Sequence, residues 1–366
     1  EDDDDDSSDR EKPGSNQAPQ TSQPGPVYKV FRQIYADGSS TATLDIDLQT
    51  ISGLKTDGAA AVLDVTNEVK DDDTIKIDLS GDALKQLAEN NMGLSIVTGK
   101  GDIYIPAELI ASLMGNGENS ISIIIAESDK EAGADGRVSS GVYDFTITAG
   151  EKPVTEFAYE LIVTIPLDSS KVGDVRRVIV CVYDEASGSW QPVGGVADKL
   201  KGTVTFKTRH FSTYAAFETV RHFDDVTSSW AKEKVEILAS RRLINGTVDR
   251  VYNPEGSITR AEFTALTVRS LYERLSRGKG TFADVSADSW YADAVETAYE
   301  LGLVSGIGGG SFGAGLDISR EQMAVLAYRL YLYKNNKGKA DGFTNTFADY
   351  KEISPYAKEA VSFVSK

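Results

Sequence analysis

Near residue 222 the spacing of apolar positions changes from that of strands to that of helices. Upstream, Ser120-Ile121-Ser122-Ile123-Ile124-Ile125 and Tyr159-Glu160-Leu161-Ile162-Val163-Thr164-Ile165 are short and rich in β-branched residues. So are Arg177-Val178-Ile179-Val180-Cys181-Val182-Tyr183 and Gly202-Thr203-Val204-Thr205-Phe206-Lys207-Thr208. Runs of this length, bounded by turn residues, predict strands. Glu185-Ala186-Ser187-Gly188-Ser189-Trp190, lying before Val193, predicts a hairpin loop. Trp190 is expected packed inside, with sugar stacking as the alternative. Helical spacing interrupts only at 82–88 and 106–111. Residues 27–220 are therefore expected to form a mainly-β, sandwich-like antiparallel region, as one module or two.

Downstream, Trp230, Val235, Ile237 and Leu238 are expected on one helix face, and Tyr291, Val295, Ala298 and Leu301 on another. Residues 261–275 and 321–333 predict longer helices. This part of the chain repeats. Phe223-Asp224-Asp225-Val226, Phe282-Ala283-Asp284-Val285 and Phe347-Ala348-Asp349-Tyr350 each open a unit, followed by Trp230, Trp290 and Tyr356. The first two units run on through Leu243-Ile244-Asn245-Gly246 and Leu303-Val304-Ser305-Gly306 to Thr259-Arg260-Ala261-Glu262 and Ser319-Arg320-Glu321-Gln322. A period of roughly 60 residues marks units that bury their apolar faces only by stacking. The expected architecture is multidomain: the β region, then an all-α bundle with units at 221–280, 281–344 and a truncated 345–366.

The repeats carry the candidate chemistry. Thr259 and Glu262 have the form of a capping box, and Ser319 with Gln322 repeats it. Each box fixes an arginine in the first helical turn, where the macrodipole disfavours a cation by about 0.3–1 kcal/mol. Arg260 and Arg320 in that position predict an anion in front of them, held by guanidinium and free amides. The alternative is a surface arginine paired with a nearby acid. A tryptophan opening an amphipathic helix is expected in the core or as a staple, with sugar stacking the sharper alternative for Trp230 and Trp290. Gly246 and Gly306 are expected to end helices in the left-handed conformation, and would also admit a ligand close to the backbone.

These motifs, in this order and at this period, resemble S-layer homology repeats over about two fifths of the chain. The resemblance implies a three-unit spindle whose opening helices form a central bundle. It also implies grooves between units that bind secondary cell-wall polysaccharide or peptidoglycan-linked glycan, commonly through a pyruvylated amino sugar. On that pattern Arg260 and Arg320 would hold the pyruvyl carboxylate, with Thr259, Glu262 and Ser319 at their helix starts. Asp225, Ser229, Trp230 and Gly246, and Asp284, Ser289, Trp290 and Gly306, would line the grooves. The second unit departs from the pattern at Glu321-Gln322 and at Gly308-Gly309-Gly310, and the third has Tyr356 in place of tryptophan. The stretch from Val180 to Phe217 resembles the end of β modules that often precede cell-surface anchors, which implies extracellular placement.

Composition bounds the alternatives. Of 366 residues, 38 are Lys or Arg and 56 Asp or Glu, a formal charge of −18 that disfavours nucleic acid and anionic lipid as partners. Residues 1–26 join an acidic run to Pro- and Gly-rich sequence and are expected to be a disordered linker; the run lacks the glycine-shaped turns of a calcium loop. The single cysteine, Cys181, forbids an internal disulfide and is expected buried. No apolar run reaches the roughly 20 residues of a membrane span, so membrane insertion is not expected. No cofactor or metal is called for: with only His210 and His222, a histidine-rich site is excluded, and His210 is expected to be structural. A start without methionine and a stop inside the third unit give the expectation of a piece of a longer protein, with an incomplete anchor and altered wall binding. The favoured reading is non-covalent anchoring at the extracellular cell surface or S-layer, with self-assembly there as a further expectation. The competing reading is a fragment of a surface-attached polysaccharide-degrading enzyme, with catalysis in 27–217 or upstream.

Overall fold

In the computed structural model, residues 28–71, 73–114, 120–131, 136–227, 230–272, 275–335, 338 and 347–365 are described. The expected linker 1–26 and Ser229 lie outside them. The β region runs Lys29–Ile34 (β1), Ser40–Ile46 (β2), Leu48–Gly53 (α1), Lys55–Asp57 (β3), Ala60–Asp64 (β4), Asp73–Ser80 (β5), Gly81–Glu89 (α2), Gly93–Val97 (β6), Asp102–Ile105 (β7) and Ala107–Met114 (α3). It continues with Ser120–Glu127 (β8), Arg137–Ala149 (β9), Lys152–Pro153 (β10), Leu161–Pro166 (β11), Val178–Asp184 (β12), Ser189–Gly194 (β13), Val196–Asp198 (β14), Thr203–Thr208 (β15) and Thr213–Glu218 (β16).

Alternation decides which side of each strand is buried. In β5, for example, Ile75, Ile77 and Leu79 are buried and the residues between them are not. Two sheets result: β1-β2-β5-β8-β9-β16-β12-β13, with β10 on β9, and β14-β15-β11-β7-β6-β4-β3. Leu44, Ile77, Ile123 and Phe145 from the first meet Leu63, Ile96, Val163 and Phe206 from the second in one buried cluster. The sheets are mixed, which corrects the antiparallel expectation: β2 pairs parallel with β5, and β4 parallel with β6. Two successive units, β2-α1-β4 and β5-α2-β6, cross from the first sheet to the second in the same sense, so laying one beside the other makes both pairs parallel. Helix α1, capped by Asp47 accepting from the Thr50 amide at 2.8 Å, is too short for periodicity to predict.

The edge strand β1 is tied down by one ion pair. Arg32 Nε and Nη2 donate to Asp73 at 3.1 and 2.7 Å, joined by Ser40 Oγ at 2.6 Å and the Lys70 amide at 2.8 Å. Against the opposing effect of burial, the Arg32 bonds above all, then those from Ser40 and Lys70, hold the buried Asp73 carboxyl well below the usual range.

The repeats supply Lys232–Ser240 (α4), Arg260–Arg269 (α5), Ala292–Glu300 (α6), Arg320–Lys334 (α7) and Lys358–Val364 (α8). Helix α5 packs on α6 and α7, and α7 on α8. The described elements here are helices with bridging turns rather than helices alone: Thr259 bridges Asp317, Val248 bridges Val251 and Gly308 bridges Ser311. Helix α5 stops at Arg269, short of the expected 275, and Tyr272 beyond it turns into the left-handed region at φ 56°. The expected face of the first unit is also corrected. Val235 is buried as expected, but Trp230 precedes α4 and is exposed, as is Leu238, and the buried face is completed by Glu236, Ala239 and Ser240. The second unit keeps its expected face, with Val295 and Ala298 buried and Tyr291 and Leu301 packed against the same cluster. Among the described residues no helix is long and apolar enough to cross a membrane.

The repeats close the outer face of β12 and β16. Ile179, Cys181, Ala215, Phe217 and Trp190 form a second cluster there, against which Tyr272 packs. Trp190 is inside, as expected, with its indole donating to Glu131 O at 3.1 Å. Gly194, at φ +93°, lets Tyr272 approach, since a Cβ there would lie 2.6 Å from the ring. Arg241 donates to Val178 O and Gly195 O at 2.8 and 2.6 Å, and Arg242 to Trp190 O at 2.7 Å. Glu236 gathers His222 at 2.7 Å, Arg177 at 3.2 Å and Lys232. Burial pushes its carboxyl up, but Lys232 and His222 outweigh that and bring it down to about 2.

Because Asp73 is ionised at lower pH when folded than when unfolded, its stabilisation is complete above the unfolded carboxyl value near 4 and declines as pH falls below it. Asp73→Asn is expected to cost about 3 kcal/mol at pH 7 by urea unfolding, because it breaks a buried pair. The gap between the two proteins is expected to narrow at pH 3; an unchanged gap would contradict the assignment.

Candidate functional site

The opening motif of the first two units is a clamp. Asp225 accepts from the amides of Tyr252 and Asn253 at 2.9 and 2.6 Å, and Asp284 from those of Phe312 and Gly313 at 2.6 and 2.7 Å. The amide bonds lower the Asp225 carboxyl. At Asp284 desolvation acts upward, but the amides of Phe312, Gly313 and Ala314 outweigh it and the carboxyl is again lowered. Both aspartates are thereby fixed to the loop that leads into the capped helix of their own unit. Phe223 and Phe282, two residues earlier, are buried beneath that loop.

Gly246 and Gly306 pack against those rings. They do not end helices, which corrects the expectation: the left-handed residues after α4 and α6 are Arg242 and Gly302. A Cβ on Gly246 would sit 2.5 Å from Val251 O and 2.8 Å from the Phe223 ring, and one on Gly306 2.7 Å from Ser311 O. The space beside each glycine is taken by the unit's own loop and ring.

Both capping boxes form. Thr259 N donates to Glu262 Oε2 at 2.7 Å and accepts at Oγ1 from Glu262 N at 3.2 Å; Ser319 and Gln322 exchange the same bonds at 3.3 Å. The arginines behind them differ. Arg260 is 7% exposed, with Nε donating to Phe312 O at 3.0 Å, Nη2 to Ser305 O at 2.7 Å, and its guanidinium 4.8 Å over the Phe312 ring. Its own amide donates to Leu316 O at 2.8 Å and that of Ala261 to Ala314 O at 3.2 Å. The expected open anion grip is therefore absent at α5, because the next unit's carbonyls occupy both amides and fork. Burial lowers the Arg260 pKa from its ordinary value, yet a guanidinium stays charged. Arg320 is exposed, and among the described residues no acceptor meets its guanidinium or the amides of Arg320 and Glu321.

The aromatics stand outside the core, against the expectation of a staple. Trp230 is 88% exposed, with Lys234 Nζ 5.7 Å above its ring, and Trp290 is 65% exposed, edge-on to Tyr291. Tyr356 is also exposed but tied down, its hydroxyl donating to Glu321 Oε1 at 3.0 Å. Ser354 donates to Glu321 as well, through its amide at 3.0 Å and its hydroxyl at 2.9 Å, and these three bonds lower the Glu321 carboxyl against a rise from burial. Thus Glu321, a departure from the motif, fastens the third unit to the second. Ser289 is half-buried in the turn into α6, its carbonyl accepting from Ala292 N at 2.9 Å. Arg269 and Arg329 went unread in the sequence, although they recur at the repeat spacing: each donates to the carbonyl after its unit's first helix, Leu243 O at 2.8 Å and Leu303 O at 3.1 Å.

Exposed indoles offer apolar faces to a sugar ring. An exposed guanidinium over unsatisfied amides offers a fork to a carboxylate.

Residues 222–264 and 281–324 match the S-layer homology domain. An amylopullulanase of Thermoanaerobacterium thermosulfurigenes is 33% identical over 290 residues, 79% of this chain and 15% of that protein. Exoglucanase XynX of Acetivibrio thermocellus is 33% identical over 191 residues, covering 52% of the chain and 17% of the relative. A surface-layer 125 kDa protein of Lysinibacillus sphaericus is 30% identical over 131 residues, 36% and 11% of the two chains. The chain thus spans less than a fifth of the length of each of these relatives. Two clamped units with matching geometry coincide with the matched residues: this chain carries S-layer homology repeats, and the protein to which they belong is held at the extracellular cell surface.

Proposed function

We propose that the repeats anchor the protein non-covalently by binding secondary cell-wall polysaccharide, with a pyruvyl carboxylate as the charged determinant. The observation that carries this reading is the pair of exposed tryptophans at the same place in consecutive units, each following the aspartate that clamps its unit's loop. Trp230 and Trp290 stack on sugar rings, and Arg320 with the open amides of α7 takes the carboxylate. Asp225, Asp284, Gly246 and Gly306 hold the loops that shape the grooves, while Thr259, Glu262 and Ser319 fix the helix starts. Ser289 lies on the Trp290 loop as a hydroxyl for the glycan, and Ser229, outside the described residues, is assigned the same part beside Trp230. Arg260 acts one step back, locking the first unit to the second. The packing of α5 on α6 and α7, and of α7 on α8, supports a three-unit bundle with boundaries near 221, 281 and 345.

A second reading is favoured by the relatives themselves. An amylopullulanase and an exoglucanase among them support assigning this chain to the surface-attached part of a polysaccharide-degrading enzyme, with residues 27–220 as a spacer or further binding module. Hydrolysis of soluble glucans or xylans by this chain would move catalysis into 27–217.

Co-sedimentation with purified wall sacculi tests the first reading. Trp230→Ala and Trp290→Ala are each expected to weaken binding about tenfold, from lost aromatic stacking. Arg320→Ala is expected to do the same with no change in melting temperature, and to have no effect on sacculi stripped of pyruvyl groups. Undiminished binding by the Trp230→Ala/Trp290→Ala double variant would refute the assignment.

Arg260→Ala is expected to behave differently. It leaves the buried Phe312 carbonyl, and the Ser305 carbonyl beside it, without that donor, so unfolding by urea should show a loss of roughly 1–3 kcal/mol. A variant of wild-type stability that has lost only wall binding would instead make Arg260 a direct ligand.

A further inference from the structure

Between the β region and the ends of the helices lies a groove of about 1040 Å³ that no part of the anchoring reading uses. One wall is the outer side of β11 and β15; the other is built from the carboxyl-terminal ends of α5, α6 and α7. Its charged lining is Lys207, Arg209, Arg241, Arg329 and Lys334 against a single acid, Glu160. In a chain of net charge −18 this concentration of cations runs against the overall field.

Part of it has a structural explanation. Cations neutralise the carbonyl ends of helices, and Arg241 spends both terminal nitrogens on Val178 O and Gly195 O. Arg329 gives one bond to Leu303 O, and Lys334 reaches Leu271 O only at 3.4 Å. Lys207 pairs with Glu160 at 3.4 Å while remaining largely exposed. Arg209 continues the outward row of β15 two residues beyond Lys207, is exposed, and has no hydrogen-bond acceptor among the described residues. Arg209, Lys207, Lys334 and the free edge of Arg329 therefore keep donors directed to one channel, and helix capping accounts for none of the first two.

We propose that this groove binds a linear anionic polymer of the cell wall, bearing phosphate or carboxylate groups along its length. The volume lies at the upper end of ligand sites and suits several linked residues rather than one sugar. Cations of one sign lining a cleft focus the field there and raise the local concentration of an anionic chain that the rest of the surface repels. Phosphodiesters and carboxylates are both served by guanidinium forks, with ammonium groups as point charges. The site is separate from Trp230, Trp290 and Arg320, so it would give the protein a second hold on the wall.

The test is calorimetric titration of the whole chain with poly(glycerol phosphate), with polygalacturonate and with neutral dextran, at low salt. At least one polyanion is expected to bind, more weakly as salt rises, and dextran to give no signal in this groove. The double variant Arg209→Glu/Lys334→Glu should weaken polyanion binding about tenfold or more, whereas Arg209→Lys/Lys334→Arg should retain it. Because both side chains are exposed, unchanged melting temperatures are expected. The Trp230→Ala/Trp290→Ala variant should bind polyanion as the parent does. Whichever polyanion binds more tightly identifies phosphate or carboxylate as the natural group. No binding by either polymer, or binding indifferent to charge reversal, overturns the proposal; sedimentation with sacculi through the tryptophans would survive that result.

Discussion

Consecutive repeats depend on a guanidinium that reaches out of one unit into the next. Arg260 leaves the capped start of α5 and satisfies the carbonyls of Ser305 and Phe312, while the carbonyls of Leu316 and Ala314 satisfy the amides behind it. A buried cation without a carboxylate would be costly, so carbonyl dipoles and the Phe312 ring must stand in for the missing counter-charge. That requirement fixes the loop of the second unit, which in turn holds Asp284 and closes over Gly306.

The same motif residue meets different surroundings in the two units. Arg260 and Arg320 share a cap, a helix position and a spacing, yet one is enclosed by its neighbour and the other faces solvent. What encloses Arg260 lies in the adjacent unit, which supplies the carbonyls of Ser305 and Phe312. A similar division applies to the aromatics, since Tyr356 is bound by Glu321 while the two indoles are left open.

Much of this was legible in the sequence. Local signals carried the capping boxes, the β12/β13 hairpin and the strands β8, β11, β12 and β15, because caps, turns and alternation depend on neighbours along the chain. The repeat period located both clamps before their partners were known. Pairing direction was not legible: the alternation in β2 and β5 reads the same whichever way the strands run, and only the order of crossings makes them parallel. Arg260 was misjudged for a related reason, since a helix-start arginine looks free until the next unit's loop is placed against it. Trp230 was expected in the core from its position at a helix start; the helix begins two residues later, and the indole falls outside its buried face.

The chain passes from the β region into the repeats through β16, and β16 is not an edge strand. It lies between β9 and β12, hydrogen-bonded on both sides and buried on both faces. Drag on a protein held to the wall by its repeats would therefore load β16 along its length, with two ladders resisting in shear together. Arg241, Arg242 and Glu236 clip the first repeat to the same sheet and would share the load before it reaches the strand. Resistance to such a pull is governed by the unfolding rate rather than by equilibrium stability. The β region thereby holds the strand that leads into the repeats at the middle of its sheet rather than at its rim.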